Sequence, residues 1–316
     1  VASITQYLFK RILFLVITLI GASFIVFMII HLLPGDPARI LAGPEATQQE
    51  VEILRHKLGL DKPLAVQYVD FMARLLHGDF GRSIVTDKPV GELITYRFIN
   101  TLKLSVFGIT LSAIIGIPLG VIAALNRNKW IDQAVMGFAI LGISTPIFVI
   151  AIFLMLVFSV KWHILPATSV TGNIGFEQLI LPGIALALYG AAPIARMTRA
   201  SMLETLTQEY VRVATSYGIP RRLVIYKYAL RNALIPVVTV IGLIFGYLLA
   251  GAVITETVFA FPGLGRLLID AIFSRDYPVV QIGILFVATT FALVNTLVDI
   301  LYMLIDPRIR VSGGSR

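Results

Sequence analysis

The chain has 316 residues, 57% of them hydrophobic and only 14% charged, with a mean hydropathy of +0.88. Soluble domains are about 45–50% apolar and about 25% charged, so this composition excludes an ordinary water-soluble protein and points to the bilayer. The net charge of +8 raises nucleic acid as a partner, while the lack of cysteine excludes disulfides, thiol nucleophiles and thiolate metal sites.

The first apolar run, 12–33, follows Lys10-Arg11. It is longer than the roughly 7–15-residue apolar part of a signal peptide, and no small-x-small cleavage pattern follows, so it reads as a retained span. In the next stretch, 34–98, Thr47 and Glu50 have capping-box spacing ahead of "VEILRHKLGL", and Gly59 supplies a stop. Pro63 opens a second helix, apolar at Leu64, Tyr68, Phe71, Met72 and Leu75, and Pro89 begins an amphipathic lead-in to the next span. The stretch reads as a small helical cap on the outer face, with a substrate lid as the alternative. Five further runs, 101–125, 134–160, 179–195, 233–255 and 279–305, each meet the roughly 20 apolar residues that a crossing needs. Pro118, Pro146, Pro182 and Pro193 fall inside them and predict kinks. The fold class expected is all-α integral membrane, with six transmembrane helices.

The basic residues are one-sided. Lys10 and Arg11, then Arg127 and Lys129, then Arg196, Arg199, Arg212, Arg221, Arg222, Lys227 and Arg231, and finally Arg308, Arg310 and Arg316 all fall on the same side. Only Asp132, Glu204, Glu209 and Asp306 oppose them, whereas acids and bases nearly cancel in 34–98, 161–178 and 256–278. The positive-inside rule therefore places both termini and the loop 196–232 in the cytoplasm, and it explains the charge without nucleic acid.

Several chemistries are missing. No Gly-Lys dipeptide occurs, so the G-x-x-x-x-G-K-[ST] phosphate loop is absent and the chain does not hydrolyse ATP by that route. "PGLGR" at 262–266 lacks the third glycine of a dinucleotide site. His31, His56, His77 and His163 are scattered without metal-ligand spacing and read as interfacial or loop histidines; H-E-x-x-H and G-x-S-x-G do not occur. Ion-coupled carriers place charge at mid-membrane, but here Lys103 opens the second span and Glu256 lies just past the fifth. Asp299, near the cytoplasmic end of the sixth span, is expected to pair with a basic residue near the inner surface.

The most basic run is "EYVRVATSYGIPRRLVIYKYALRNALIPVV", 209–238. Apolar residues at steps of three and four predict a helix over 201–217, Gly218 ends it with a residue able to take φ > 0, and Pro220 opens a second helix over 220–232. The expected product is a compact elbow, kept slim toward a partner by Ala214 and Gly218. A lipid-lying basic helix is the plainer alternative.

This elbow resembles the "EAA" coupling loop of permease subunits from ATP-binding-cassette importers, whose pattern is E-A-A-x-x-x-G. Ala214 stands at the second alanine and Gly218 at the glycine, while Arg212 and Val213 replace the glutamate and first alanine. "RMTRASMLE" (196–204), "EYVRVATSYG" (209–218) and "ALRNALIPVVT" (229–239) resemble the dipeptide/oligopeptide/nickel branch of these importers. So do "HLLPGDPAR" (31–39), "LGLDKPL" (58–64), "GDFGRS" (78–83), "ETVFAFPGLGRLLIDAI" (256–272), "RDYPVVQ" (275–281) and "DPRIR" (306–310), which together look like the first of the two permeases.

The resemblance implies a type I importer permease fold in a bacterial inner membrane. The parts would be a terminal end and first span (1–33), a helical extracytoplasmic segment (34–98), a five-span core (99–305) with the coupling loop at 196–232, and a cytoplasmic tail (306–316). It implies a second permease, two ATPase subunits that use ATP and Mg, and an external binding protein, with no enzyme activity, cofactor or metal in this chain. Glu209, Tyr210, Arg212, Ala214, Tyr217, Gly218, Pro220, Arg221 and Arg222 would form the ATPase-coupling site. Glu256, Phe261, Pro262, Gly263, Gly265 and Arg266 form a candidate outer-entrance loop, with a packing turn as the equal alternative. The solute expected is a di- or oligopeptide; glutathione and nickel or metal chelates are alternatives within the family, and an ion-coupled secondary transporter is the rival from another class.

Overall fold

Without water in the bilayer, backbone N–H and C=O groups must pair within their own segment, and the apolar runs accordingly fold as long helices. The computed structural model describes residues 4–32, 37–43, 46–166 and 175–305. The "PGDP" part of the first motif, the tail 306–316 and the "DPRIR" motif lie largely or wholly outside them. Helix α1 (Ile4–Leu32) is followed by α2 (Pro37–Ala42), α3 (Gln48–Leu58) and α4 (Leu64–Leu76). Next come α5 (Val90–Leu125), α6 (Trp130–Ser144) and α7 (Ile147–Leu154), the last continuing as a π-helix over Met155–Lys161. The remainder is α8 (Phe176–Leu206), α9 (Glu209–Ser216), α10 (Arg221–Leu223) with a π-helix over Val224–Leu230, α11 (Arg231–Gly251), α12 (Val253–Val258), α13 (Leu264–Phe273) and α14 (Tyr277–Ile305). Among the described residues the sole β-type pairing is the isolated bridge Arg82–Pro89.

Among the described residues five single helices are long and apolar enough to cross a membrane, and a sixth crossing needs α6 and α7 together. The run 134–160, where Pro146 predicts a kink, is two helices: α6 and α7 are bent by 99° at Thr145-Pro146. Pro146 has no N–H to give and forces the preceding Thr145 into an extended conformation, φ −85° and ψ 122°. Pro118, Pro182, Pro193 and Pro236 are accommodated inside unbroken helices.

Helices α5 and α8 run parallel and form the most extensive helix pair of the bundle. Small residues allow this. A Cβ on Gly116 would stand 2.7 Å from the carbonyl oxygen of Ala191, and one on Gly120 2.5 Å from that of Ala195. Gly108, Ser112, Gly116 and Gly120 thus form a small-residue stripe at four-residue spacing, and close backbone approach supplies the dispersion contact that drives helix pairing in lipid. Leu104, Leu181, Leu186, Ile194 and Leu248 fill the core around this seam. Outside it, α14 packs antiparallel on α11 and α1. Arg11 of α1 pairs with Asp299 of α14, so the intramembrane carboxylate has the basic partner expected of it.

The segment ahead of α5 folds as its sequence signals require. Thr47 Oγ1 accepts from the Glu50 N–H at 3.3 Å and the Glu50 carboxylate accepts from the Thr47 N–H at 2.8 Å, the reciprocal capping box. Those bonds hold the Glu50 carboxyl below its ordinary range. α4 docks on α1 through Phe27, Phe71 and a 2.8 Å hydrogen bond between Ser23 and Tyr68. The turn before α5 is tied to the far end of the chain: Ser83 Oγ donates to Asp276 Oδ2 at 2.5 Å, and the Ile84 N–H donates to Asp276 Oδ1 at 3.1 Å. Two motifs quoted separately above, "GDFGRS" and "RDYPVVQ", therefore meet.

Candidate functional site

At one end of the bundle α8 stops at Leu206, and the chain turns through Thr207-Gln208 into α9. The single helix expected over 201–217 is thus two, because Thr207 bonds back to the Glu204 carbonyl at 2.7 Å and Gln208 is extended (φ −68°, ψ 147°). After α9, Gly218 takes φ +73°, and the N–H groups of Gly218 and Ile219 return to the carbonyls of Thr215 and Ala214 at 3.0 and 3.3 Å. Pro220 then leads into α10. No break follows: α10, the π-helix and α11 form one helix over Arg221–Ala250, so the second arm of the elbow is the start of a spanning helix.

Val211, Ala214 and Val224 pack inside the elbow against Leu206 and Ile219. The expectation that Ala214 slims the elbow toward a partner is therefore not met: the residue is 5% exposed and its small size lets α9 close on Val224. The outer surface is formed by Glu209, Arg212, Val213, Tyr217, Gly218, Pro220, Arg221 and Arg222. Tyr217 is 83% exposed, and a Cβ added at Gly218 would meet nothing within 4 Å. Tyr210 is pinned at its hydroxyl, which accepts from Asn232 Nδ2 at 2.9 Å.

The other candidate, the loop 256–266, lies at the opposite end and is folded inward. Glu256 is fully buried; its Oε1 accepts from Thr101 Oγ1 at 2.6 Å and its Oε2 from the Arg266 N–H at 3.1 Å. The Gly265 N–H reaches the same carboxylate, and the Leu264 N–H donates to Thr101 Oγ1 at 2.8 Å. Two distant side chains thus cap the start of α13, satisfying N–H groups that a helix leaves without internal partners. Asn100 Nδ2 donates to the Pro262 carbonyl at 2.9 Å, and Phe259 and Phe261 are buried alongside. Gly263 has no room for a Cβ against Glu256. Burial pushes the Glu256 carboxyl up from its ordinary value, while the Thr101 and backbone donors and the nearby Arg97 pull it down. This arrangement is a turn packed on α5 of the same chain; of the six candidate residues Glu256, Phe261, Gly263 and Gly265 are buried, while Pro262 and Arg266 are half-exposed.

A third constellation was not singled out by the sequence. Arg199 of α8 and Asp132 of α6 form a two-pronged ion pair close to the elbow. Its signal was present as a lone acid in a basic loop. Histidines hold local roles: His56 bonds Asp61 and His77 bonds the Ala73 carbonyl, and no cluster of three potential metal ligands occurs among the described residues.

A bundle of long apolar helices, two of them joined by a basic elbow, defines a membrane-embedded helical protein. The family comparisons agree. Residues 116–311 match the model described as binding-protein-dependent transport system inner membrane component, and residues 4–105 match its N-terminal companion. The glutathione transport system permease protein GsiC of Shigella flexneri serotype 5b is 45% identical over 96% of this chain and 99% of its own length. The protein of the same name from Escherichia coli K12 is likewise 45% identical, and that of Salmonella typhi 44%, with the same coverage. A crystal structure of an amino acid ABC transporter with histidines aligns with a TM-score of 0.51 at 19% identity, covering 69% of this chain and 94% of that one. The chain belongs to the binding-protein-dependent inner-membrane permease family. It is a multi-pass permease of an ATP-binding-cassette importer, in the peptide, nickel and glutathione branch, with the type I fold.

Proposed function

We propose that this chain forms one half of a translocation path for short peptides, with glutathione the solute to test first. The observation that carries this reading is the 45% identity, along nearly the whole of both chains, to permeases named for glutathione transport. A second, non-identical permease supplies the other half of the path, and a binding protein delivers the solute from outside.

Two separate ATPase subunits bind ATP and Mg, one seated on this elbow and the other on that of the second permease. Exposed Tyr217, Gly218, Pro220, Arg221 and Arg222 support that seat, since they present a convex knuckle rather than a face packed on the chain itself. Both termini and the elbow lie in the cytoplasm, and 34–98 lies outside. The buried loop 256–266 borders the outer entrance by fixing α13 to α5; its side chains are braces rather than solute contacts.

The test is to purify the chain with whatever it retains, reconstitute the complex, and measure uptake of labelled glutathione, a labelled dipeptide and nickel against ATP consumed. ATP-dependent glutathione or dipeptide uptake that needs the binding protein is the expected result. Exchange driven by an ion gradient without ATPase subunits would overturn it.

A further inference from the structure

Asp132, in the first turn of α6, is 3% exposed. Its oxygens take parallel hydrogen bonds from Arg199, Nε to Oδ1 at 2.5 Å and Nη2 to Oδ2 at 2.6 Å. The Asn128 N–H, from a residue at φ 62°, completes the set at 3.0 Å. Such a pair fixes direction as well as distance, which a lysine would not.

Beyond this pair α6 packs on α8 and, less extensively, on α5. Trp130, Phe138, Ile140 and Leu141 are exposed, and the contact with α8 runs over small groups, with Gly142 beside Ala192 and the Leu188 carbonyl. α5 and α8, in contrast, touch backbone to backbone at Gly116 and Gly120 and form one body. Arg199 stands about two turns before the elbow on that body. At its other end α6 meets the 99° bend at Thr145-Pro146, beyond which α7 packs on α8 and on α12, the helix that carries Glu256.

We propose that Asp132 and Arg199 are a positioning pair for transport: they make α6 follow α8 when the elbow is displaced. The displacement then reaches the Thr145-Pro146 bend and, through α7, the outer loop. This rests on reading the elbow as the ATPase seat. An ion pair that merely stabilises the bundle would alter assembly or melting but not the amount of solute moved per ATP.

The test uses the complete complex in proteoliposomes, with labelled glutathione as probe. Asp132→Asn and Arg199→Lys are each expected to lower uptake per ATP by about three- to tenfold, a modest loss of coupling free energy, with all subunits still co-purifying. The exchange Asp132→Arg with Arg199→Asp should recover most of the ratio. An unchanged ratio in both single variants overturns the proposal. A second measurement is independent of the solute and of variant assembly yield. Labels on Gly137→Cys and Arg196→Cys, in a chain with no other cysteine, should keep one separation with and without ATP. In the Arg199→Lys complex that separation should change with nucleotide; a separation that stays fixed there overturns the proposal. Gly218→Trp distinguishes the two readings. If it transports normally per ATP, the elbow reading fails; if it uncouples while the pair variants do not, the pair alone fails.

Discussion

Gly218 is the residue on which the coupling reading turns. Its φ of +73° is one that residues with a Cβ rarely adopt, and its surroundings in the chain are open. A tryptophan there strains the left-handed turn but meets no neighbouring atom of the subunit, and it projects toward a partner. Gly218→Trp should insert and assemble but hydrolyse ATP with little uptake, as measured by solute moved per ATP in proteoliposomes. Glu256 offers a test of a different kind. Its carboxyl is raised above its ordinary value of 4.5 by burial, so the folded state binds the proton more tightly than the unfolded one. Its contribution to stability is then largest at low pH and declines as pH rises from the ordinary value through the raised one. The melting temperature of the wild type minus that of Glu256→Gln should fall over that window, because the amide does not titrate. A difference that is flat or rises with pH would contradict the burial argument. Gly263→Ala should lower the melting temperature in detergent, since overpacking a filled site costs about 1–3 kcal/mol and the new methyl would press on the Glu256 carboxylate.

At the scale of elements, local signals were legible and long-range ones were not. The capping box of Thr47 and Glu50, the stop at Gly59, the start at Pro89 and the turn at Gly218 all stand where residue type and spacing put them. Each is decided within a few residues. The ties Ser83–Asp276, Thr101–Glu256 and Asp132–Arg199 join residues far apart in sequence, and no local pattern names the partner. The stripe of Gly108, Ser112, Gly116 and Gly120 was readable as a packing face, yet apolar runs alone say only that a helix crosses. A kink at Pro146 was legible but its depth was not, because Pro118 and Pro182 look the same in sequence and sit in unbroken helices. Two outcomes follow at this scale. Thr47→Ala removes one side of the capping box and should cost about 1 kcal/mol, seen as faster hydrogen exchange confined to α3. Gly116→Leu should separate α5 from α8 and abolish recovery of folded, monodisperse protein, whereas Ile114→Leu, on an exposed position of the same helix, should not.

For the whole molecule, the side proposed for each loop rests on charge placement, and the partners proposed rest on what the chain lacks and on its family. Fold class and family followed from motifs spread along its length. The solute did not, because nothing in the buried loop or the elbow discriminates one small peptide from another. The purified chain alone should show no ATP hydrolysis, and activity should appear only when its ATPase subunits are added. The unbroken helix from Arg221 to Ala250 has 30 residues and is therefore about 45 Å long. A rod of that length, pivoting near its foot, carries its tip about 8 Å for a tilt of about 10°. The foot adjoins Gly218 and the tip adjoins α12, so if the elbow is the ATPase seat proposed above, a small rotation at the foot would be magnified into a solute-sized displacement at the tip.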